Sequence, residues 1–317
     1  VRGKGNAFAR LRWSPDYRSV ADIVTIHWSS HPDRIIDLEV IDGKKTSTWY
    51  RNECKTLSPT QVAQELDINY SESVEGRVYF KFSEARQCSK EIGWDENWTT
   101  IVAWDLGLGD ENALVVLSQF MGTLAVVDSY FMNEQLLRFY VDIIHGRKPK
   151  EFDLLNQVDK DKTLKFMERA KVRDYKRKTQ VLGPDALARD IKSKKSVKGI
   201  LRNPNVNLDF RSPVEKESRP AKLYVPMQVR VMSYKKLDMI NQVSVVIDPE
   251  MDVFCVDKGQ VEFIERLMNY RRKKDDDGNY TDEPVHDWAS HAADALGVGI
   301  LYLVRQGRVI VGKPKGL

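Results

Sequence analysis

The sequence predicts an α/β protein in which a mixed β-sheet carries helices on both faces. Apolar runs suited to strands lie at residues 99–105, 113–120 and 124–131. Only Met121-Gly122-Thr123 separates the second run from the third, and this short connection predicts an antiparallel meander. Helical and extended segments then alternate along the chain, which predicts a sheet that is covered on both sides.

The segments after the meander are predicted from their apolar spacing and their turn residues. Asn133 is expected to cap a helix, and the last helix is expected to begin near Val285. Small residues of that last helix, among them Gly297 and Gly299, predict a close approach to the sheet. Between these two helices we predict helices over 159–178, 186–201, 233–246 and 260–272, strands over 179–185, 206–210 and 253–256, and a hairpin turn at 275–280.

A carboxylate stands at the end of the first predicted strand. Asp105 ends that strand, and a glycine-containing turn carries Asp110 five residues later. An acid at the tip of a core strand is unfavourable unless a cation or hydrogen-bond donors stabilise it. A metal ion is one candidate for this role and the amides of the turn are the other. This segment alone leaves both interpretations open.

Later segments could bring further carboxylates to the same place. A second extended run ends in Asp185, and the predicted last helix carries Asp287, His291 and Asp294 on one stripe, at spacings i, i+4 and i+7. Adjacent strands lie about 4.8 Å apart, close to the roughly 3.5–4 Å between the ions of a two-metal site. The pattern therefore predicts a hard-cation site for phosphodiester hydrolysis, with Asp105, Asp185 and Asp294 as its ligands.

The neighbouring polar residues each have an ordinary interpretation beside the functional one. Asp287 is either a fourth ligand or an acid in the first helical turn, where the helix dipole favours negative charge. Asp110 is likewise either a ligand or a turn residue. His291 either orients a carboxylate and carries a proton, or packs as a core histidine. Asp190 is the alternative to Asp185 as the second acid.

Composition limits the class of protein. The 317 residues are 42% hydrophobic, which is enough to bury a core in one large domain or two. The cysteines, Cys54, Cys88 and Cys255, lack the spacing of a zinc site or a disulfide framework. The longest apolar run, 295–304, is shorter than the ~20 residues of a membrane span, so we expect a soluble cytoplasmic protein with no membrane partner.

Positive charge is concentrated in one part of the chain. Residues 147–222 hold 22 Lys and Arg against 11 Asp and Glu, whereas the whole chain has a net charge of +4. Such an excess is typical of a surface that binds phosphate backbones with salt-dependent affinity, although a solvated surface without a partner gives the same pattern. The candidate DNA-binding residues are Arg189, Lys192, Lys194, Lys195 and Lys198, which follow the second acid, and Arg271 and Arg272.

Several short motifs occur in an order that is typical of one protein family. They are Gly5–Phe8, His27–Pro32, Trp49–Cys54, Ala63–Asp67, Ser73–Gly76, Trp104–Gly107 and Val285–Leu296. With these motifs the chain resembles the large terminase subunit of tailed bacteriophages, a DNA-packaging motor that joins an ATPase lobe to an RNase H-like nuclease lobe.

The resemblance implies two domains. Residues 1–95 would be the C-terminal remnant of a P-loop ATPase domain with its linker, and residues 96–317 an RNase H-like nuclease domain. The phosphate-binding pattern Gly-x-x-x-x-Gly-Lys-Ser/Thr does not occur in the sequence. We therefore expect no ATPase activity from this chain.

The same resemblance implies a function. The nuclease would be a metal-dependent endonuclease that cleaves double-stranded DNA during viral genome packaging, by a two-metal-ion mechanism with one or two Mg²⁺ or Mn²⁺ ions. Its partners would be the portal protein and the small terminase subunit, in the cytoplasm of an infected bacterial host and at the procapsid. Two alternatives remain, namely another RNase H-like nuclease of the resolvase or transposase type, and a non-catalytic module that grips DNA during packaging.

Overall fold

A computed structural model describes residues 26–41, 44–56, 62, 66–68, 76–88, 90–107, 111–188, 195–208, 224–275 and 279–309. The chain divides into two compact units. We call them the major unit, within Lys81–Leu267 and Val285–Leu317, and the minor unit, within Val1–Phe80 and Met268–Pro284. The assignment of residues 1–95 to an ATPase remnant and of 96–317 to a nuclease domain stays a prediction.

The elements are numbered in chain order. The strands are β1 (Glu39–Ile41), β2 (Lys44–Thr46), β3 (Thr99–Asp105), β4 (Glu111–Phe120), β5 (Thr123–Asn133), β6 (Thr179–Leu182), β7 (Val229–Val231), β8 (Phe254–Val256), β9 (Arg272–Lys274) and β10 (Tyr280–Pro284). The helices are α1 (Thr48–Thr56), α2 (Glu84–Gln87), α3 (Leu137–Ile144), α4 (Gln157–Val172), α5 (Val197–Arg202), α6 (Pro204–Leu208), α7 (Lys236–Val246), α8 (Val261–Asn269) and α9 (Ser290–Arg305).

A six-stranded mixed sheet forms the centre of the major unit, with the strand order β7-β6-β3-β4-β5-β8. β3, β4 and β5 form the predicted antiparallel meander. β6 runs parallel to β3, β7 parallel to β6, and β8 parallel to β5. An antiparallel three-stranded meander with parallel strands added beside its first strand is the RNase H-like arrangement. The predicted fold class is therefore confirmed.

Helices cover both faces of this sheet. Alternate residues of each strand point to opposite sides, so each face has its own set of side chains to pack against helices. Val102 and Trp104 of β3 join a buried cluster with Phe139 of α3 and Phe166 of α4. On the opposite face α9 packs against β3 and β4, and α7 packs against α9. Within the described part of the chain, no helix has the length and hydropathy that a membrane span requires.

The close approach of α9 to the sheet is confirmed at Gly299. A Cβ atom at this position would lie 3.0 Å from the Cβ of Ala103 and would also overlap the side chain of Leu117. A Cβ at Gly297 would meet Met239 of α7. The glycines therefore let α9 lie between the sheet and α7, and this position brings the first turns of α9 next to the end of β3.

Several predicted elements differ from the structure. Asn133 ends β5 and does not cap a helix, since the residue that precedes α3 is Leu136. The polar helix predicted over 159–178 ends at Val172, and a 3₁₀ turn, Tyr175–Arg177, follows it. Its start is set by Asn156, whose side chain accepts a hydrogen bond from the amide of the third helical residue.

Two further predictions are wrong in the basic part of the chain. In the segment predicted as a helix over 186–201, Pro184–Leu187 form a 3₁₀ turn, Ala188 is not helical, and α5 is helical, while residues 189–194 lie outside the described residues. The strand predicted over 206–210 conflicts with α6, which begins at Pro204. Proline suits the first position of a helix because its fixed φ matches the helix and its missing N–H is not needed there.

The minor unit contains two antiparallel hairpins, β1 with β2 and β9 with β10. The antiparallel pairing of β9 with β10 agrees with the hairpin predicted at 275–280, of which residues 276–278 lie outside the described residues. Trp28 lies in a 3₁₀ turn and stacks on Tyr50 of α1 with ring centroids 5.0 Å apart. The backbone of Gly76 accepts a hydrogen bond from the amide of Arg272, which ties the second hairpin to the preceding segment of this unit.

Candidate metal centre

Two parallel strands bring two of the predicted acids to one edge of the sheet. β3 and β6 are parallel neighbours. Asp105 is the last residue of β3, and Asp185 lies in the 3₁₀ turn Pro184–Leu187 directly after β6. A buried hydrogen bond of 2.9 Å from Trp104 Nε1 to Gln180 Oε1 joins the two strands beside Asp105. Both acids therefore stand at the carboxyl ends of adjacent strands.

Helix α9 adds a histidine and a third acid to this edge. His291 is 2% exposed, and its Nδ1 lies 2.9 Å from Oδ2 of Asp105, within hydrogen-bond distance. The ring of His286 meets the ring of His291 edge-on, with centroids 5.1 Å apart. Asp294, one turn further along α9, is 8% exposed. This contact is the one expected if His291 orients a carboxylate, which is one of the two interpretations given above.

A lysine ammonium contacts the third acid. Lys236, the first residue of α7, forms an ion pair with Oδ1 of Asp294. Burial raises the pKa of the Asp294 carboxyl to about 6, the positive charge of Lys236 opposes this rise, and the negative charge of Asp105 adds to it. Asp105 and Asp294 are therefore close enough for the charge of one to disfavour ionisation of the other.

The hydroxyl of Tyr234 is influenced by all three acids. Burial raises the pKa of Tyr234, and the negative charges of Asp294, Asp105 and Asp185 raise it further. Its hydroxyl oxygen lies 3.3 Å from the position that a Cβ atom would take on Gly183, two residues before Asp185. The hydroxyl thus stays protonated at neutral pH, beside the turn that carries Asp185 and within electrostatic reach of the other two carboxylates.

The donor chemistry of the site suits a hard divalent cation. Carboxylate oxygens are the ligands that Mg²⁺ and Mn²⁺ prefer, and carboxylates that repel one another in a poorly solvated place favour a bound cation. Across the described ranges, no group of three or more His, Cys, Asp or Glu is arranged so that it could hold a metal ion. Asp105 and Asp294 form an interacting pair, Asp185 is the third acid that acts on Tyr234, and Lys236 supplies positive charge to the pair.

Asp287 does not lie on the helix with His291 and Asp294. α9 begins at Ser290, and the residues before it form a turn. The carboxylate of Asp287 accepts a hydrogen bond of 3.0 Å from the amide of Ala289, and its carbonyl accepts one of 2.9 Å from the amide of Ser290. The predicted stripe is therefore wrong for Asp287, because these two hydrogen bonds form a turn ahead of the first helical residue.

The candidate DNA-binding residues lie in both units. Lys195 and Lys198 belong to the major unit, where α5 packs against the turn that carries Asp185 and against β7. Lys195 is exposed and Lys198 is half-buried. Arg271 and Arg272 belong to the minor unit. The remaining predicted site residues, which lie outside the described residues, are Asp110, Arg189, Lys192 and Lys194, together with the alternative acid Asp190.

The sequence does not predict Tyr234 or Lys236 as site residues. Tyr234 lies two residues before α7 and Lys236 is its first residue, both far along the chain from Asp105 and Asp185. The available signal is the polar group Ser233-Tyr234-Lys235-Lys236 ahead of an apolar helix. A solvated helix start has the same composition, so the pattern alone does not distinguish the two.

Solved structures that are similar to this chain are large terminases of bacteriophages. A large terminase from a thermophilic bacteriophage is 12% identical, with a TM-score of 0.41 over 82% of this chain and 53% of that one. The P22 large terminase nuclease domain is 12% identical, with a TM-score of 0.43 over 73% of this chain and 93% of that one. The large terminase nuclease from thermophilic phage G20c with bound magnesium is 12% identical, with a TM-score of 0.40 over 72% of this chain and 97% of that one.

The chain is similar to phage large terminases. It spans about half the length of the first of these structures, of which it covers 53%. No family model matches the sequence, and no curated protein matches it either.

Proposed function

We propose that the major unit is a metal-dependent endonuclease that cleaves double-stranded DNA, of the kind found in phage large terminases. The observation that carries the proposal is that Asp105 and Asp185 stand at the ends of two adjacent parallel strands, and that His291 of the helix that carries Asp294 lies 2.9 Å from the Asp105 carboxylate. These acids come from the ends of two adjacent strands and from the helix that crosses them. Such a set of carboxylates suits divalent cations and phosphodiester hydrolysis, and the sequence motifs around Asp105 and Asp294 resemble those of the terminase nuclease lobe.

The three carboxylates would hold one or two Mg²⁺ or Mn²⁺ ions, which supply an activated water and stabilise the leaving 3′-oxygen. The surrounding residues keep the carboxylates in position and charged. His291 holds the Asp105 carboxylate in one orientation through their 2.9 Å contact. Lys236 favours the ionised form of Asp294 and so opposes the effect of burial. Tyr234 offers a neutral hydroxyl as a hydrogen-bond donor at the same place.

The DNA backbone would lie along the surface next to the Asp185 turn. Lys195 and Lys198 of the adjacent segment would neutralise phosphates there, and the packing of α5, which contains Lys198, against that turn supports this. Contacts of lysine with phosphates carry no sequence information and depend on salt. We therefore propose that the enzyme binds duplexes of different sequence with similar affinity through this surface.

The wider biological setting is part of the same proposal. The chain would act in viral genome packaging in the cytoplasm of an infected bacterium, with the portal protein and the small terminase subunit as partners. ATP hydrolysis is not assigned to this chain, because its sequence holds no Gly-x-x-x-x-Gly-Lys-Ser/Thr loop. The nuclease reaction itself requires no ATP.

A plasmid assay tests the proposed function against the alternative of a DNA-gripping module. Purified protein is incubated with supercoiled plasmid and Mn²⁺, and a parallel sample contains EDTA. We expect nicked and linear DNA with Mn²⁺ and intact plasmid with EDTA. Plasmid that is retarded on a gel in both samples but never nicked would contradict the nuclease and favour the gripping module.

A further inference from the structure

Arg266 of α8 joins three segments of the major unit through one buried guanidinium. The residue is 6% exposed. Its NH2 group donates hydrogen bonds to Glu111 Oε1 at 2.7 Å and to Glu262 Oε1 at 2.8 Å. Its NH1 group donates to the other carboxylate oxygen of Glu111 and to the backbone carbonyl of Trp288. Glu262 lies one turn earlier on the same helix, so the other two contacts reach outside α8.

These two outside contacts lie at the segments that flank the candidate metal centre. Glu111 is the first residue of β4 and follows Asp105 by six positions in the chain. Trp288 stands two residues before α9, which carries His291 and Asp294. One side chain therefore fixes the start of the strand that follows the first acid and the start of the helix that carries the third.

Buried acids and an aromatic ring around Arg266 restrict the orientations that its guanidinium can take. Glu111 is also buried, at 7% exposure, and Glu262 forms a second ion pair with Lys162 at 2.7 Å. The guanidinium carbon lies 4.2 Å from the ring centroid of Phe131, which leaves little room for rearrangement. A planar guanidinium can bind both oxygens of a carboxylate and a third acceptor at once, whereas the ammonium of lysine cannot reproduce this fork.

We propose that Arg266 is a positioning residue of the nuclease site. It holds the beginning of α9 against the beginning of β4, so that His291 and Asp294 face Asp105. Arg266 acts through these elements and not by contact with DNA or metal. The inference rests on the proposed function, because it assigns to Arg266 the alignment of the carboxylates that would hold the cation.

The test compares Arg266→Lys with Arg169→Lys, a matched control. Arg169 also makes a two-pronged contact in the same unit, with Nε and NH2 each 2.7 Å from the carboxylate oxygens of the buried Asp128 on β5. The affinity for Mn²⁺ is measured by calorimetry without DNA, and the thermal midpoint of each variant is measured beside it. Both substitutions remove a fork and keep a positive charge, so both are expected to lower the thermal midpoint.

Arg266→Lys is expected to weaken Mn²⁺ binding by roughly 10–100-fold, which is the usual effect of losing a residue that orients metal ligands. Arg169→Lys is expected to bind Mn²⁺ like the wild type. If Arg266→Lys does not fold, the double variant Arg266→Gln, Glu111→Gln replaces it, since that change removes both buried charges together, and the same loss is expected.

Wild-type Mn²⁺ affinity in a folded Arg266 variant would overturn the inference and leave the proposed function standing. A wild-type protein that binds no Mn²⁺ would overturn the proposed function, and this inference with it.

Discussion

The ammonium of Lys236 and the carboxylate of Asp294 form an ion pair at the first turns of α7 and α9. In the proposed nuclease the same carboxylate binds a divalent cation. The lysine and the metal ion would then compete for one partner, although the lysine also helps to keep that partner ionised. The balance between these two effects depends on pH, because Lys236 changes the fraction of ionised Asp294 mainly at pH values near the pKa of that carboxyl.

Replacing Lys236 by methionine should strengthen Mn²⁺ binding at pH 8. At this pH, above the pKa of about 6, the Asp294 carboxylate of the wild type is ionised, so the lysine acts on the metal mainly as a competing positive charge. The ion pair is partly exposed, and a gain of up to about 1 kcal/mol, roughly fivefold in affinity, is expected. Calorimetry with Lys235→Met, its exposed neighbour, as the control measures the change. Weaker binding by Lys236→Met would show that the lysine assists the metal and does not compete with it.

The stability of the metal-free protein should fall between pH 4 and pH 7 because of Asp294. Folding raises the pKa of this carboxyl from 3.8 to about 6, so the folded state favours the protonated form. Its contribution to the free energy of unfolding is complete below about pH 4 and is lost as pH rises through about 6, a loss of about 3 kcal/mol. Urea denaturation of the wild type and of Asp294→Asn, in EDTA, measures it by difference. Parallel pH profiles for the two proteins would contradict this prediction.

Replacing Gly299 by alanine should destabilise the major unit. The added Cβ would lie 3.0 Å from the Cβ of Ala103 and would overlap Leu117, both of which are fully buried. Overpacking of this kind costs about 1–3 kcal/mol, more than alanine gains in helix propensity. Gly93→Ala is the control, since nothing lies within 4 Å of its added Cβ. Chemical denaturation should place the control near the wild type, and an equal effect of both changes would refute the packing argument.

Removing the lysines beside the Asp185 turn should weaken DNA binding without regard to sequence. Each phosphate contact that is lost lowers the slope of log K against log salt by about one, so Lys195→Ala, Lys198→Ala should lower it by about two. The matched control is Lys165→Ala, Lys171→Ala, which removes two exposed lysines from α4. Fluorescence anisotropy over a salt series measures both slopes. Equal slopes for the two double variants would mean that this surface does not contact the backbone.

The central sheet was predictable because its signals are local. Residues 99–131 hold three long apolar runs with one tight turn, and this pattern agrees with β3, β4 and β5. Asp105 stands out because a charged residue directly follows the apolar run 101–104 within the strand. The glycines within α9 likewise indicate that other elements pack closely against this helix, whatever its position in the fold. Each of these features is carried by a few consecutive residues.

The parts that could not be predicted depend on contacts between distant segments. Lys236 and Asp294 meet because α7 packs on α9, and no pattern around Lys236 records that contact. The start of α9 was misplaced because helical periodicity continues back to Val285, whereas hydrogen bonds of Asp287 form a turn there. α6 was mistaken for a strand because its apolar residues alternate, although Pro204 favours a helix start.

The most direct test of the central claim is plasmid cleavage in Mn²⁺ by variants of the three acids. Asp105→Ala, Asp185→Ala and Asp294→Ala should each lower the cleavage rate to that of the wild type in EDTA, while Asp190→Ala should cleave at the wild-type rate. Circular dichroism should show that the variants stay folded, since loss of one carboxylate relieves repulsion among the others. Wild-type cleavage by Asp105→Ala or Asp294→Ala would contradict the account, because no metal-dependent reaction could then be assigned to this edge of the sheet.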